Sequence, residues 1–318
     1  PGTGDVEQGL SSENETIGTQ TASLSAVSLV VPTLNAGSEI GSLLQKLQNQ
    51  TRQLSEILVV DSSSDDDTAE KVKSVAASSA VPITFKVIDR KDFNHGGTRH
   101  EAFLQTSGDF VLFMTQDAVP ANVRYVENLL APFANDRVAV SSGRQLPKAD
   151  ARRFEQLVRS FNYPENSFVR GEEDLATYGI KTFFTSDVCA AYRRSAYDQV
   201  GGFQRPCNMS EDMQIAARLV AAGYQVAYAA DAEVYHSHNL TPRQQYARNY
   251  AVGQFLESNA DVLMGVSEIG EGGHLVKKVS GQLLREGRVG EFFAFGIDCM
   301  ARLAGNRAGR ANARKVGA

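Results

Sequence analysis

The chain has 318 residues, 42% of them hydrophobic, and a formal net charge of −5. That length allows one large α/β domain with an appendage, or two smaller domains, and the composition supplies a sizeable core. The acidic balance excludes a generic nucleic-acid binder. Three scattered cysteines (Cys189, Cys207 and Cys299) form no CxxC pair, which excludes a disulfide scaffold and fits a reducing compartment.

No segment approaches the roughly 18 consecutive apolar residues of a membrane span. The N-terminus has no basic segment followed by an apolar run, so no secretory signal is expected. These features predict a soluble, cytoplasmic protein, at most peripheral at the inner face of a membrane.

Residues 1–26 are rich in Gly, Ser, Thr and Glu and poor in large apolar residues, which predicts a flexible arm. Val27 to Pro32 is a β-branched run that reads as a buried strand. Ile40, Leu43, Leu44 and Leu47 have helical spacing. Ile57 to Val60 forms a second strand, and Asp65 or Asp66 is placed to cap a helix from Thr68 to Ala77. Ile83 to Ile88 is a third strand, Gly97 to Thr106 a helix, and Phe110 to Met114 a fourth strand. This alternation predicts βαβ units and a largely parallel sheet.

Farther on, Val188 to Tyr192 is strand-like and Ser195 to Val200 is a short helix closed by Gly201 and Gly202. Ser210 is placed to cap a helix from Glu211 to Ala222, and Tyr224 to Ala229 and Ala232 to Tyr235 are strand-like. From Thr241 the pattern is helical, with Pro242 in a first turn. The expected organisation is a catalytic α/β domain over residues 27–240 and a helical appendage over 241–318, ending in a basic tail. That tail (Arg302, Arg307, Arg310, Arg314, Lys315) contains no acid. Tyr246, Tyr250, Ala251 and Phe255 fall roughly on one helical face, and Phe292, Phe293, Phe295 and Ile297 form an apolar run. The appendage suits either a cap on the catalytic domain or contact with an anionic membrane surface.

In open α/β sheets ligands bind beyond the carboxyl ends of the strands. Four strand ends here carry polar groups: Thr33 and Asn35; Asp61, Ser62 and Ser63; Asp89 and Arg90; Gln116 and Asp117. Asp117 follows an apolar strand and precedes Pro120, which makes strand continuation unfavourable, so its carboxylate is placed to hold a hard cation. In the segment from Asp92 to Arg99, two glycines permit close backbone approach and Arg99 is suited to phosphate. Glu211-Asp212 reads either as a general base or as dipole-favoured acids of a first helical turn. His236 and His238 share a face, as joint metal ligands or as a surface pair. A calcium loop over Asp61 to Asp67 is excluded, because the sixth position is not Gly and the twelfth is Val72. Neither a GxSxG elbow nor a Walker A sequence occurs.

As a set, the motifs resemble the family 2 glycosyltransferases, which have a GT-A fold, a Rossmann-like mixed sheet. The matching segments are Val30 to Asn35, Val59 to Thr68, Thr115 to Ala118, Gly201 to Phe203, and Glu211-Asp212, in family order from Val27 to His238. Phe93 to Arg99 and Thr115 to Ala118 look most like the rhamnosyltransferase branch, which uses dTDP-L-rhamnose. The resemblance implies an inverting transfer of sugar to a hydroxyl of a glycan or lipid-linked acceptor, with Mg²⁺ or Mn²⁺. It implies a nucleoside pocket of Thr33, Asn35, Asp61 and Asp89, with Arg99 and Gln116 beside the donor. Asp117 matches the last acid of the DxD motif, Asp212 matches the base of the ED motif, and His236 or His238 completes the metal site. The sequence departs from the family at Thr115, where the first DxD acid stands, and at His100, where relatives often carry Asn. A nucleotidyltransferase would need a Gly-rich basic loop where Pro32 to Asn35 stands. A non-catalytic nucleotide-sugar-binding module is the other rival.

Overall fold

A computed structural model describes residues 25–265 and 271–316. Most of the expected N-terminal arm, residues 1–24, lies outside them. The chain runs β1 (Val27–Thr33), α1 (Ile40–Gln48), β2 (Glu56–Asp61), α2 (Thr68–Ala76), β3 (Ile83–Val87), α3 (His95–Leu104), β4 (Phe110–Met114), β5 (Val119–Pro120) and α4 (Tyr125–Leu130). It continues β6 (Val138–Leu146), α5 (Arg153–Asn162), β7 (Phe168–Arg170), α6 (Leu175–Tyr178), β8 (Cys189–Arg193), α7 (Arg194–Gln199), α8 (Glu211–Ala221) and β9 (Gln225–Tyr235). Three helices follow: α9 (Pro242–Ser258), α10 (Glu271–Arg285) and α11 (Val289–Val316).

The strands form one mixed sheet in the order β3-β2-β1-β4-β8-β6-β9-β5, with β7 also pairing β9. Strands β1 to β4 are parallel, as the alternation predicts. The β8 strand is antiparallel to both β4 and β6, and β9 is parallel to β6. The carboxyl ends of β1–β4, β6 and β9 therefore share one edge with the amino end of β8, and every candidate site residue outside α3 and α8 lies on that edge.

Side chains alternate between two cores. Val27, Leu29 and Val31 of β1 pack with α1, α2 and α4, while Val30 packs with Phe103 of α3 and with Ile215 and Leu219 of α8. A smaller third core joins Phe154 and Val158 of α5 to Val279 and Leu283 of α10 and Phe295 of α11. The α9–α11 contact is a backbone approach. A Cβ at Gly305 or Gly309 would run into the carbonyl oxygen of Tyr246 or Tyr250, and one at Gly253 into that of Asn306. Tyr246 itself is exposed, so this face packs through glycine rather than through the tyrosine rings.

As expected, β4 ends before Pro120 and Asp117 lies on the loop beyond it; Pro120 itself pairs in β5, where proline is tolerated because β5 is an outermost strand. Several local expectations need correction. Gln225–Tyr235 forms one continuous strand rather than two. Helix α3 begins at His95, because the Asn94 side chain accepts from the Gly97 amide and caps it. Ser210 precedes α8 but makes no side-chain cap; its φ is 56°, a left-handed turn into Glu211 and Asp212. The basic tail is the end of α11, where Arg302 pairs with Asp298, and Arg310 and Arg314 with Glu257.

Candidate functional site

The loops after β1 and β2 are tied to each other before any ligand is considered. Buried Asp61 accepts from Thr33 Oγ1 at 2.8 Å and from the amide and hydroxyl of Ser64 at 2.8 and 2.6 Å. Asn35, at a φ of 52°, accepts from the Asp65 amide, and its own amide donates to Ser64. Asp66 accepts from the amides of Gly37 and Thr68, so it, rather than Asp65, steadies the start of α2. Arg90 donates to the carbonyl of Ser63 and to Asp65 and joins the loop after β3 to the set.

These ties shape a cavity of about 220 Å³ lined by Thr33, Leu34, Ser62, Arg90, Phe93, His95, Arg99, Thr115 and Gln116. Gln116 is fixed there by the amide and carbonyl of Leu34, at 2.8 and 3.1 Å. Thr33, Arg99 and Gln116 are thus brought together, whereas the Asp61 and Asn35 side chains are taken up within the loops. The exposed carboxylate of Asp89 lies 3.4 Å from Lys91 and lines an adjoining cavity of about 450 Å³.

The two glycines of α3 have structural work. The Gly97 amide is taken by Asn94 and the Gly96 amide by the Cys207 carbonyl, and a Cβ on Gly96 would fall 2.5 Å from the Gln204 carbonyl. The expected anion-binding amides are therefore occupied. Arg99 is buried, 3.2 Å from Glu211 and 3.7 Å from Asp187, so it is a paired charge in the cavity wall. His100 turns away from the cavity and bonds Tyr197 at 3.0 Å.

Asp117 meets both histidines. Its Oδ2 lies 3.4 Å from Nε2 of His236 and 3.4 Å from Nε2 of His238, and the three ligand atoms all fall within 4.8 Å of one another. Burial pushes the Asp117 carboxyl up, but His236, His238 and Lys148 outweigh it and hold the group well below the usual range. Burial lowers both imidazoles more than the carboxylate raises them. With neutral rings, Lys148 at 3.8 Å is the cation that faces Asp117.

The tautomer of His236 follows from its other nitrogen. Gln145 Oε1 accepts from Arg159, which identifies it as the oxygen, and the same atom lies 2.9 Å from His236 Nδ1. Nδ1 therefore carries the proton, and Nε2 turns a lone pair toward the Asp117 carboxylate. Two acceptors facing each other are favourable only around a proton or a cation, so these side chains fit a divalent ion. Thr115, where a second acid would stand, has a buried hydroxyl without a hydrogen-bond partner.

Asp212 begins α8, half-buried, with the Met213 amide at 2.7 Å and the Asp187 amide at 3.4 Å. Burial, and then the charge of Glu211, push its carboxyl up to about 7. Asp187 is buried, and that burial pushes its carboxyl up; Arg99 opposes the shift, the charges of Asp212 and Glu211 add to it, and Tyr192 donates to it at 2.7 Å. Sequence reasoning missed Asp187, Gln145 and the pairing role of Glu211. The rule of searching strand carboxyl ends passes over Asp187, which precedes an antiparallel strand. Gln145 lies in β6, whose sequence (Val-Ala-Val-Ser-Ser-Gly-Arg-Gln-Leu) was a strand signal left unread.

A mixed sheet that gathers nucleotide-sized cavities and a carboxylate–histidine centre along one edge defines a nucleotide-sugar transferase architecture. The chain belongs to glycosyl transferase family 2, whose model matches residues 28–201, and it is a glycosyltransferase. It is 41% identical over 230 residues to the O-antigen chain rhamnosyltransferase RfbN of Salmonella typhimurium, covering 72% of each chain. It is 42% identical over 233 residues to the O-antigen chain rhamnosyltransferase WbaN of Salmonella anatum, covering 73% of this chain and 72% of that one. The fold matches the mannosyltransferase PcManGT of Pyrobaculum calidifontis, solved with GDP-Man and Mn²⁺, at a TM-score of 0.56 and 19% identity over 92% of this chain and 76% of that one. It also matches TarS 1–349 of S. aureus, solved with UDP-GlcNAc, at 0.53 and 16% identity, covering 90% and 92%. The fold is GT-A. Family membership removes the nucleotidyltransferase and non-catalytic alternatives.

Proposed function

We propose that the chain transfers L-rhamnose from dTDP-L-rhamnose, with inversion, to a hydroxyl of a glycan or lipid-linked acceptor in the assembly of a surface polysaccharide such as O-antigen. The observation that carries this reading is the meeting of Asp117, His236 and His238 beside the Thr33–Gln116 cavity. The two Salmonella relatives support the choice of sugar.

In this mechanism Thr33 and Gln116 seat the nucleoside, with Asn35 and Asp61 holding the loops that form the seat. Asp89, which lines the adjoining cavity, accepts from the base N3–H if the nucleoside extends into that cavity. Asp117, His236 and His238 hold a divalent cation that would supply positive charge for the departing diphosphate. Arg99, fixed by Glu211 and Asp187, adds a permanent charge to the wall. Asp212, raised toward neutrality, takes the acceptor proton as its hydroxyl attacks the anomeric carbon.

The described residues include no helix long and apolar enough to cross a membrane. On α11, however, Val289, Phe293, Ile297, Met300 and Leu303 are exposed at spacings of four, four, three and three, a single stripe that Arg307 extends. We read it as a peripheral membrane contact suited to a lipid-linked acceptor.

The test is a donor panel measured by thermal shift with Mn²⁺ or with chelator. Metal-dependent stabilisation by dTDP-L-rhamnose and not by UDP-sugars is expected. Stabilisation by a UDP-sugar alone would overturn the rhamnose assignment and leave the family intact.

A further inference from the structure

A second cavity, of about 320 Å³, opens on the other side of the carboxylate–histidine centre, between α5, α9 and α11. It shares no lining residue with the Thr33–Gln116 cavity. The centre stands between the two: Gln116, next to Asp117, lines the first, and His236 and His238 line the second. A volume of this size suits a small ligand.

The walls of the second cavity carry three arginines against one carboxylate, Glu155. Arg159, Arg248 and Arg302 come from three different helices. Two of the charges are answered: Arg159 Nε lies 3.0 Å from Glu155, and Arg302 Nε lies 2.6 Å from Asp298. Among the described residues no carboxylate pairs with Arg248. Its side chain is exposed to the cavity yet ringed by protein, so loss of solvent and the charges of Arg159 and Arg302 push its pKa below the ordinary value. An uncompensated guanidinium in a concave, repulsive wall is stabilised most by an anion that accepts from all three arginines. Gln245 and Asn249, on the same helix as Arg248, add amide groups to the lining.

We propose that this cavity is the acceptor subsite and that it binds a phosphate or diphosphate group of the acceptor, with Arg248 as the principal cation. The assignment rests on the reading of the Thr33–Gln116 cavity as the donor seat. A donor there, with its diphosphate toward Asp117, leaves the second cavity for the other substrate. The acceptor is then a phosphorylated glycan, a class that includes sugars linked to lipid through phosphate. A neutral oligosaccharide would leave Arg248 without a counter-charge.

Two measurements test the proposal. In the first, inorganic pyrophosphate is titrated by calorimetry against the protein in excess chelator, where the Asp117 centre offers an anion no metal. Wild type is expected to bind, Arg248→Gln about tenfold more weakly, the loss of one charge-assisted contact, and Arg248→Lys in between. Equal binding by wild type and Arg248→Gln, or no binding by either, overturns the anion subsite. In the second, dTDP-L-rhamnose is titrated with Mn²⁺. Arg248→Gln is expected to bind it within about twofold of wild type, while the pyrophosphate loss persists. A parallel loss of donor binding would place Arg248 on the donor phosphates and overturn the acceptor assignment. If wild type binds pyrophosphate but no donor, the donor reading fails and the acceptor assignment falls with it, a result distinct from failure of the anion subsite.

Discussion

Asp117 and His236 lie 3.4 Å apart because two residues of β5 pair with the end of β9, with Val119 opposite Tyr235 and Pro120 opposite Val234. The pairing brings the loop after β4 against the first residue beyond β9. Gln145, at the end of β6 and parallel to β9, then fixes the histidine ring from its other side. A centre built from three strand ends is rigid by virtue of the sheet itself.

Removing a ligand should remove the ion. Asp117→Asn and His236→Ala are each expected to abolish stabilisation by Mn²⁺ in a thermal-shift titration. Gln145→Leu, which leaves the ligands in place but frees the His236 ring, should weaken Mn²⁺ by about tenfold. An unchanged affinity in Gln145→Leu would mean that the ring needs no second hydrogen bond.

Asp212→Asn should retain donor binding and lose transfer by about a hundredfold or more. The pH dependence has a definite sign. A base works only when deprotonated, and Asp212 is raised to about 7, so transfer should fall as pH drops through that region. The charge of Glu211 helps to raise it, so Glu211→Gln should move this acid limb to lower pH. A limb that stays in place in Glu211→Gln would assign it to another group.

Overpacking the α9–α11 contact should be costly, because the obstacles are backbone carbonyls that cannot turn aside. Gly305→Val and Gly309→Val are each expected to destabilise the protein by about 1–3 kcal/mol, with the arginine cavity between these helices disturbed as well. Chemical denaturation would measure the first effect and pyrophosphate titration the second.

The exposed stripe on α11 should matter only at a membrane. Phe293→Glu is expected to reduce co-sedimentation with anionic vesicles while leaving the melting temperature within about 2 °C, as for an exposed position. Equal sedimentation of mutant and wild type would argue that the stripe faces another protein surface or plain solvent.

The first half of the chain was legible because its strands and helices alternate in chain order, and each apolar run ends in a polar residue that the parallel arrangement brings to one edge. Thr33, Asp61, Gln116 and Asp117 follow from that rule alone, and the spacing of His236 and His238 was visible beside it. The middle was read only in part: β6 and α5 carry a strand run and an amphipathic helix pattern that went unread, whereas an antiparallel β8 reverses which end of a strand faces the ligand, so Asp187 escaped notice. Motif order by itself identified the family, because spacing along the chain is a one-dimensional property that sequence preserves. Whether Arg99 meets a phosphate or a carboxylate, whether Asp61 lines a cavity or ties a loop, and whether three arginines from α5, α9 and α11 share one cavity were decided only by tertiary structure. Those outcomes depend on distances of 3–4 Å between residues far apart in the chain, set by strand register and by how closely glycine lets two helices approach.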